Sequence, residues 1–356
     1  MIVNDFLMAI FFLFVGLEIK HEILEGNLSS IKKASFPIIG AIGGVVVPSL
    51  IFLLFNYNTG FISGAGIPIS TDIAFAIGIF MILKSKFNPS LKIFLLSLAV
   101  VDDLISILVI GIFYSSGIKF AYLLLSAIML GILFLMNKNK VDKITPYLIM
   151  SLVLWGCIYA SGVHATISGV LAAMAIPHKA FGQSKISMRE RLEHKLAPLC
   201  NLIILPLFAL VNTAIDLRVD IDFSAANTLI IGIVMGLVIG KPLGITLFTW
   251  LGTKLNITEK PEGVDWLSIV SVSCLAGIGF TMSIFVAEIA FEYSVMFSNI
   301  SKISILIAAI ISVVATCLLT TLINIYKQIK SNMEEHNIYK KGIFYNVEVS
   351  EYKNVS

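Results

Sequence analysis

Charged side chains are scarce in this sequence of 356 residues. Asp, Glu, Lys and Arg make up 13% of it, where a soluble domain carries about a quarter. With 58% apolar residues as well, that scarcity excludes an ordinary soluble globular domain. Cysteine is scarce too. Cys157, Cys200, Cys274 and Cys317 each fall inside an apolar tract. They form neither a disulfide framework nor a metal motif and read as small apolar side chains. The start, MIVNDFLMAIFFLFVGLEIK, lacks a basic segment and a small-residue cleavage site, which excludes a secretory signal peptide. No large excess of one charge sign points to nucleic acid: the formal net charge is +3, and its meaning lies in where the positive residues fall. Nothing in the sequence calls for a cofactor or for enzymatic chemistry.

What is present is a series of long apolar runs, several exceeding the roughly 20 residues that cross a bilayer core. Eleven spans are expected, near 3–20, 36–56, 66–83, 90–114, 118–136, 145–161, 163–177, 196–214, 226–251, 267–290 and 300–326. The tract 145–177 is too long for one straight span, and Ser161-Gly162 is its hinge. The fold class is therefore an all-α polytopic membrane protein. It has one transmembrane domain, 1–326, followed by a polar tail, 327–356, that lacks an apolar face and reads as solvated.

The loops alternate in charge. Of the 25 basic residues, Lys119, Arg218 and Lys302 alone lie in one set of loops, and Lys241 alone lies deep in a span. All the others fall in the second set or in the tail. Lysine-rich loops stay on the cytoplasmic side. This places the C-terminus in the cytoplasm and the first residues outside.

That topology exposes a repeat. Spans 36–56, 66–83 and 90–114 run in the opposite sense to spans 226–251, 267–290 and 300–326. The middle member of each trio is interrupted, the first by Gly64 to Pro68 (GAGIP) leading into Ser70, Thr71 and Asp72, the second by Gly277 and Gly279 followed by Thr281. Broken helices at matching positions of two inverted repeats point to a transporter's substrate site. Such backbone is tolerated at that depth only where protein or a water-filled cavity satisfies it.

Ionisable residues inside the bilayer need a partner or a function. Asp102 and Asp103 lie at the middle of span 90–114, Lys241 past the middle of 226–251, and Asp72 at the first break. Adjacent residues on a helix point about 100° apart, so one aspartate can face a neighbouring helix while the other faces a cavity. The expected arrangement pairs Asp102 with Lys241 and leaves Asp103 on the ion path. Carboxylates suit a hard cation such as Na+, which prefers oxygen ligands, and the same group binds H+. Competition for one site yields exchange once that site opens to one side at a time. Asp102 and Asp103 are thus the cation and proton ligands, with Na+ held transiently. Thr71 adds an oxygen, and Asp72 offsets the positive ends of the half-helices.

A second cluster is expected at the cytoplasmic edge: Glu18, Lys20, His21 and Glu22, with Glu193 and His194. Glu18 and Glu22 are four apart, a repelling pair that invites capture of a proton or cation, and histidine titrates in the relevant range. From those residues alone, an ordinary solvated helix end is the favoured reading.

The stretches NDFLMAIFFLFVGLEIKHEILEG (Asn4 to Gly26), IPISTDIAFAIG (Ile67 to Gly78), LAVVDDLISI (Leu98 to Ile107), SGVHATISG (Ser161 to Gly169), ILPLF (Ile204 to Phe208), IGKPLGIT (Ile239 to Thr246) and AGIGFTMSIF (Ala276 to Phe285) closely resemble the NhaA-type sodium/proton antiporters. The resemblance covers nearly all of residues 1–326. Inverted repeats with broken helices are a known feature of that family, so the repeat and the resemblance are not independent arguments. The resemblance implies a twelve-helix fold with two crossed, interrupted helices. It implies electrogenic exchange of cytoplasmic Na+ or Li+ for external H+ in a bacterial inner membrane, more active at alkaline pH. By motif, Asp102 and Asp103 match the family's ion-binding pair, Thr71 and Asp72 the first break, Gly277 and Gly279 the second, and Lys241 its motif lysine. Glu18, Glu22, Glu193 and His194 match residues assigned to pH sensing.

Two departures accompany the match. By this resemblance the chain is expected to begin at the family's second helix, without the first helix and an adjoining outer segment; in the family that missing region contributes to dimer contacts, so a homodimer is an expectation of the family rather than of these residues. His21 stands where the family usually has arginine, and Ala197 where a second histidine is common. Three competing readings remain at this level: a sodium-coupled organic-anion symporter of related fold, an intramembrane aspartyl protease, and an inactive truncated relative. The first needs further basic anchors besides Lys241. The second needs aspartates from two helices, not neighbours on one.

Overall fold

The computed structural model describes residues 2–115, 117–180, 186–213 and 226–353. Lys185, Arg218 and the last three residues of the tail lie outside them, as do the side chains of Lys32, Lys33 and every residue from Lys330 on. Among the described residues every regular element is helical. Eight helices are long and apolar enough to cross a membrane, and a bent pair makes a ninth. Two of the expected spans coincide with shorter helices, α1 (Met8–Leu24) and α7 (Ile167–Ala175). The intervening elements are α2 (Ile31–Asn56), α3 (Ile73–Ile82), α4 (Ser90–Phe113), α5 (Phe120–Lys138) and α6 (Ile144–Ser161). After α7 come α8 (Met188–Leu199), α9 (Leu205–Asn212), α10 (Asn227–Met235), α11 (Lys241–Lys254), α12 (Trp266–Ala276), α13 (Phe280–Ala290) and α14 (Val295–Lys353).

The hinge at Ser161-Gly162 is present. Gly162 closes α6 with φ +83°, a left-handed conformation that costs glycine little. Two other interruptions carry no Ser-Gly signal. Cys200–Ile204 between α8 and α9, and Gly236–Gly240 between α10 and α11, are π-helical turns. Each is followed two residues later by a proline, Pro206 or Pro242. Proline has no N–H for the carbonyl four residues back and crowds it, so the helix widens locally rather than breaking.

The last helix differs from expectation. It does not stop near residue 326 but continues through the polar tail to Lys353. No glycine or proline interrupts it before Gly342, and its Lys, Glu, Gln and Ile residues are compatible with helix. Polarity here marks where the apolar environment ends, not where the helix does.

Two apolar cores flank α4. Val100 and Ile107 belong to one, with Phe12, Phe208 and Phe285; Leu98 and Val101 belong to the other, with Phe36, Phe80 and Ile269. The first helices of the two repeats, α2 and α11, pack against each other where Gly43 meets Gly244. Absence of side chains there lets the backbones approach closely. This brings Lys241 and α4 to the centre of the molecule.

Candidate ion site at the helix crossing

The two interrupted spans meet at their breaks. The first is a 3-10 helix, Ile62–Ile69, then an extended turn through Ser70 to Asp72, then α3. The second is α12 and α13, bent by 48° at Gly277 to Gly279. Gly277 lies against the π turn before α11: a Cβ built there would stand 2.5 Å from the Leu237 carbonyl oxygen. The breaks are tied by the Asp72 N–H donating to the Ile278 carbonyl (2.7 Å). One carboxylate then serves two helix starts. Asp72 Oδ1 accepts from Phe75 N (3.1 Å) in α3. Its Oδ2 accepts from Thr281 N (3.0 Å) and from the Thr281 hydroxyl in α13. Orphan N–H groups and positive dipole ends are thereby met together.

Asp102 and Lys241 meet beside this crossing. Lys241 Nζ is 2.5 Å from Asp102 Oδ2, and both side chains are wholly buried. Lys241 also donates to Thr71 Oγ1 (2.5 Å), whose hydroxyl lies 2.8 Å from Asp102 Oδ2 and 2.9 Å from the Ala276 carbonyl. Thr71 thus links the first break, the second break and the ion pair. The remaining oxygen, Asp102 Oδ1, has no hydrogen-bond partner among the described residues, and neither does Asp103 Oδ1. Such buried oxygens are costly unless something neutral or positive meets them. They fit a transported cation or proton.

Asp103 turns away from the pair into a cavity of about 460 Å³ that also reaches Glu18, Asp72, Thr281 and Asn201. Glu18 is within electrostatic range of Asp103 and of Glu22 and Glu193. A line of carboxylates therefore leads from the lysine-rich rim to the crossing. Sequence reasoning did not single out Asn201, because an isolated amide in an apolar run carries no pattern. Its signal is indirect: Pro206 forces the π turn on which Asn201 sits.

The rim cluster is rearranged relative to expectation. Lys20 is buried, and its ammonium donates to carbonyls at the end of α7, Met174 at 2.7 Å together with Ala173 and Ile176. That is a helix C-cap. Glu22 accepts from Asn27 N (2.9 Å) and closes the turn after α1. His21 instead meets Glu25 (3.3 Å), as does His178 (3.3 Å). Buried Arg189 binds Glu193, and its other nitrogen lies 3.6 Å from Glu25 and 3.7 Å from Glu190. His194 lies near Glu190 on the same helix. Glu25, His178 and Arg189 had no place in the expected cluster, and only tertiary packing of α1 against α7, the segment after it and α8 brings them together.

The sequence model of the Na+/H+ antiporter 1 family matches residues 1–320. The chain is 48% identical over 301 residues to the Na(+)/H(+) antiporter NhaA 2 of Aliarcobacter butzleri, covering 82% of this chain and 74% of that one. It is 47% identical over 308 residues to the Na(+)/H(+) antiporter NhaA of Cytophaga hutchinsonii, covering 86% and 79%. Against the protein of the same name from Helicobacter pylori strain J99 it is 41% identical over 349 residues, covering 87% and 80%.

Proposed function

Because this chain belongs to the Na+/H+ antiporter 1 family, we propose that it exchanges Na+ for H+ across the membrane at Asp102 and Asp103. The observation that carries this reading is the pair of buried, unpartnered carboxylate oxygens beside Lys241, one of them opening on a cavity. With all three groups ionised the trio carries one net negative charge. A single Na+ or a single proton neutralises it, so the two compete. Asp103 is the group that exchanges them, and Asp102 contributes its free Oδ1. Thr71 and Lys241 hold Asp102 in place, while Asp72 holds the two half-helices together around the site.

The reading extends to direction and setting. The lysine-rich face is cytoplasmic, the membrane is a bacterial inner membrane, and the C-terminus is inside. Residues 1–326 act as one transport domain with repeats over 36–114 and 226–326. Na+ leaves the cytoplasm as protons enter, and Li+ replaces Na+ because the same hard oxygen donors suit it. Exchange is electrogenic, which requires unequal numbers of protons and Na+ per cycle. Activity is regulated by pH through the rim, and a homodimer is carried over from the family resemblance. An organic-anion symporter is not favoured, since the available intramembrane cation, Lys241, is committed to Asp102.

The test uses purified chain in proteoliposomes with an internal pH dye. A Na+ or Li+ gradient should drive opposing proton movement, more strongly at alkaline pH. Absence of ion-driven proton movement at every pH between about 6 and 9, the span over which groups near neutrality titrate, would remove the proposal.

A further inference from the structure

A groove runs between α11 and the start of α12 and shares no residue with the cavity at Asp103. It encloses about 760 Å³. Ile239, Pro242, Leu243, Thr246 and Trp250 form its floor, and Trp266 lies across from them. Along the chain the floor residues recur every three or four positions, so they share one helix face. Ile239 belongs to the π turn Gly236–Gly240, and Pro242 follows Lys241. The groove therefore lies against the segment that carries the buried lysine.

Its size and its two ends narrow the choice of occupant. From Ile239 to Trp250 a helix rises about 16 Å, and one leaflet of a bilayer's hydrocarbon core is about 15 Å thick. The floor is open to the membrane: Ile239, Leu243, Leu247 and Trp250 are 41–49% exposed. Both tryptophans stand at the same end, and each has an ammonium over its ring. Lys254 Nζ lies 5.0 Å from the Trp250 centroid, and Lys260 Nζ lies 5.6 Å from that of Trp266. The proposed topology puts this end at the cytoplasmic surface, where tryptophan rings settle at headgroup level. Nearby carboxylates are engaged elsewhere. Asp265 binds Lys327 at 2.5 Å, and Glu259 and Glu262 line a different cavity with Asn27 and Ser90. Lys260 borders that cavity as well, which leaves Lys254 as the principal cation at the groove's mouth.

We propose that this groove binds an anionic phospholipid of the cytoplasmic leaflet. One acyl chain lies along α11 from Trp250 to Ile239, and the phosphate-bearing headgroup meets Lys254 and Lys260. Length, apolar floor and cationic mouth each match that occupant. A zwitterionic lipid fits the floor but not the mouth, because its own ammonium opposes the lysines. The acyl chain packs against the π turn ahead of Lys241, a stretch where regular α-helical bonding is already interrupted. The site does not depend on which ion the chain carries.

The experiment uses the chain's own tryptophans. Of its three, Trp250 and Trp266 border the groove and Trp155 does not. The Trp155→Phe chain is reconstituted in phosphatidylcholine vesicles. A small share of the lipid is then replaced by phosphatidylglycerol brominated near the upper end of one acyl chain, or by phosphatidylcholine brominated in the same way. Bromine quenches an indole only at contact, so quenching reads occupancy. Phosphatidylglycerol should win the groove about fivefold over phosphatidylcholine, the preference that one lysine beside an anionic headgroup confers. Lys254→Gln together with Lys260→Gln should bring the two lipids to near equality, and Lys254→Gln alone should account for most of that change. Neither lysine is buried, so these variants should fold. Lys138→Gln with Lys140→Gln removes the same charge from the same face at the end of α5, and should leave the preference in place. Equal quenching by the two lipids in the parent overturns the site. So does a preference that survives in the Lys254, Lys260 variant, or one lost equally in the Lys138, Lys140 variant. Quenching by neither lipid also overturns it and would assign the groove to a second copy of the chain or another protein. Quenching needs no ion gradient, so failure of the antiport reading would show instead as absent Na+-driven proton movement with the lipid preference intact.

Discussion

At the helix crossing, Lys241 and Asp102 are wholly buried and lie 2.5 Å apart. At the rim, Glu25 is 44% exposed and gathers His21 and His178 at 3.3 Å and Arg189 at 3.6 Å. Both regions collect charge, yet physics treats them differently. A buried ion pair is held by geometry, and removing one partner strands a charge at a cost of about 3–5 kcal/mol. An exposed pair is screened and interchangeable, and contributes about 0.2–1 kcal/mol. The crossing is thus suited to a fixed stoichiometric task. The rim is suited to graded response, since one carboxylate shared among two histidines and an arginine loses little when any one changes.

The largest effect is expected where the crossing is disturbed at its unpartnered group. Asp103→Asn removes the charge and keeps the size. It should abolish Na+-dependent proton release from purified protein, because Asp102 is engaged with Lys241 and Thr71. In the parent, protons should compete with Na+. Below the pH at which the site loses its proton, each unit of pH should raise the apparent Na+ constant about tenfold. Well above that pH the constant should level off, and the maximal rate at saturating Na+ should change far less. A steeper rise would mean that Asp102 and Asp103 titrate as one coupled pair. Full proton release from Asp103→Asn, or Na+ binding independent of pH, would erase the distinction between the two aspartates.

The next effect concerns stability. Lys241→Ala should lower the folded state by about 3–5 kcal/mol, measured as loss of thermal stability in detergent. Lys241→Arg should keep the charge and much of that stability. Equal melting of Lys241→Ala and parent would mean that Asp102 is neutral without its partner, and the crossing would then resemble the rim.

The contrast also explains what was legible in the sequence. The crossing was, because burial makes its residues conspicuous. Asp72, Asp102, Asp103 and Lys241 interrupt apolar runs, and glycines and Pro68 mark the first break. A charge in a long apolar tract has few explanations, so Asp102 and Lys241 stood out from their positions in the spans. The long apolar spans were legible for the same reason. The rim was not. Its residues are polar among polar neighbours, and nothing in the sequence distinguishes Lys20, which caps α7, from His21, which meets Glu25. The π turns were half legible: Pro206 and Pro242 stood in plain view, but proline also ends or kinks helices. Asn201 needed packing, since an isolated amide in an apolar run carries no mark of the cavity it reaches.

The smallest effect belongs to the rim. Glu25→Gln removes one shared carboxylate and leaves Arg189 bound to Glu193. Stability should change by at most about 1 kcal/mol, and the rate at saturating Na+ at optimal pH should be kept. The pH of half-maximal activity should move instead. The sharper comparison is with Glu22→Gln. Its carboxylate closes a turn through Asn27 N, and an amide oxygen can accept that same bond, so its pH profile should stay closer to the parent's than that of Glu25→Gln. Proton-movement assays on the two variants across pH decide the matter. A larger shift from Glu22→Gln would place pH sensing on the residues that the family resemblance names, and Glu25 would then be an ordinary solvated group at the end of α1.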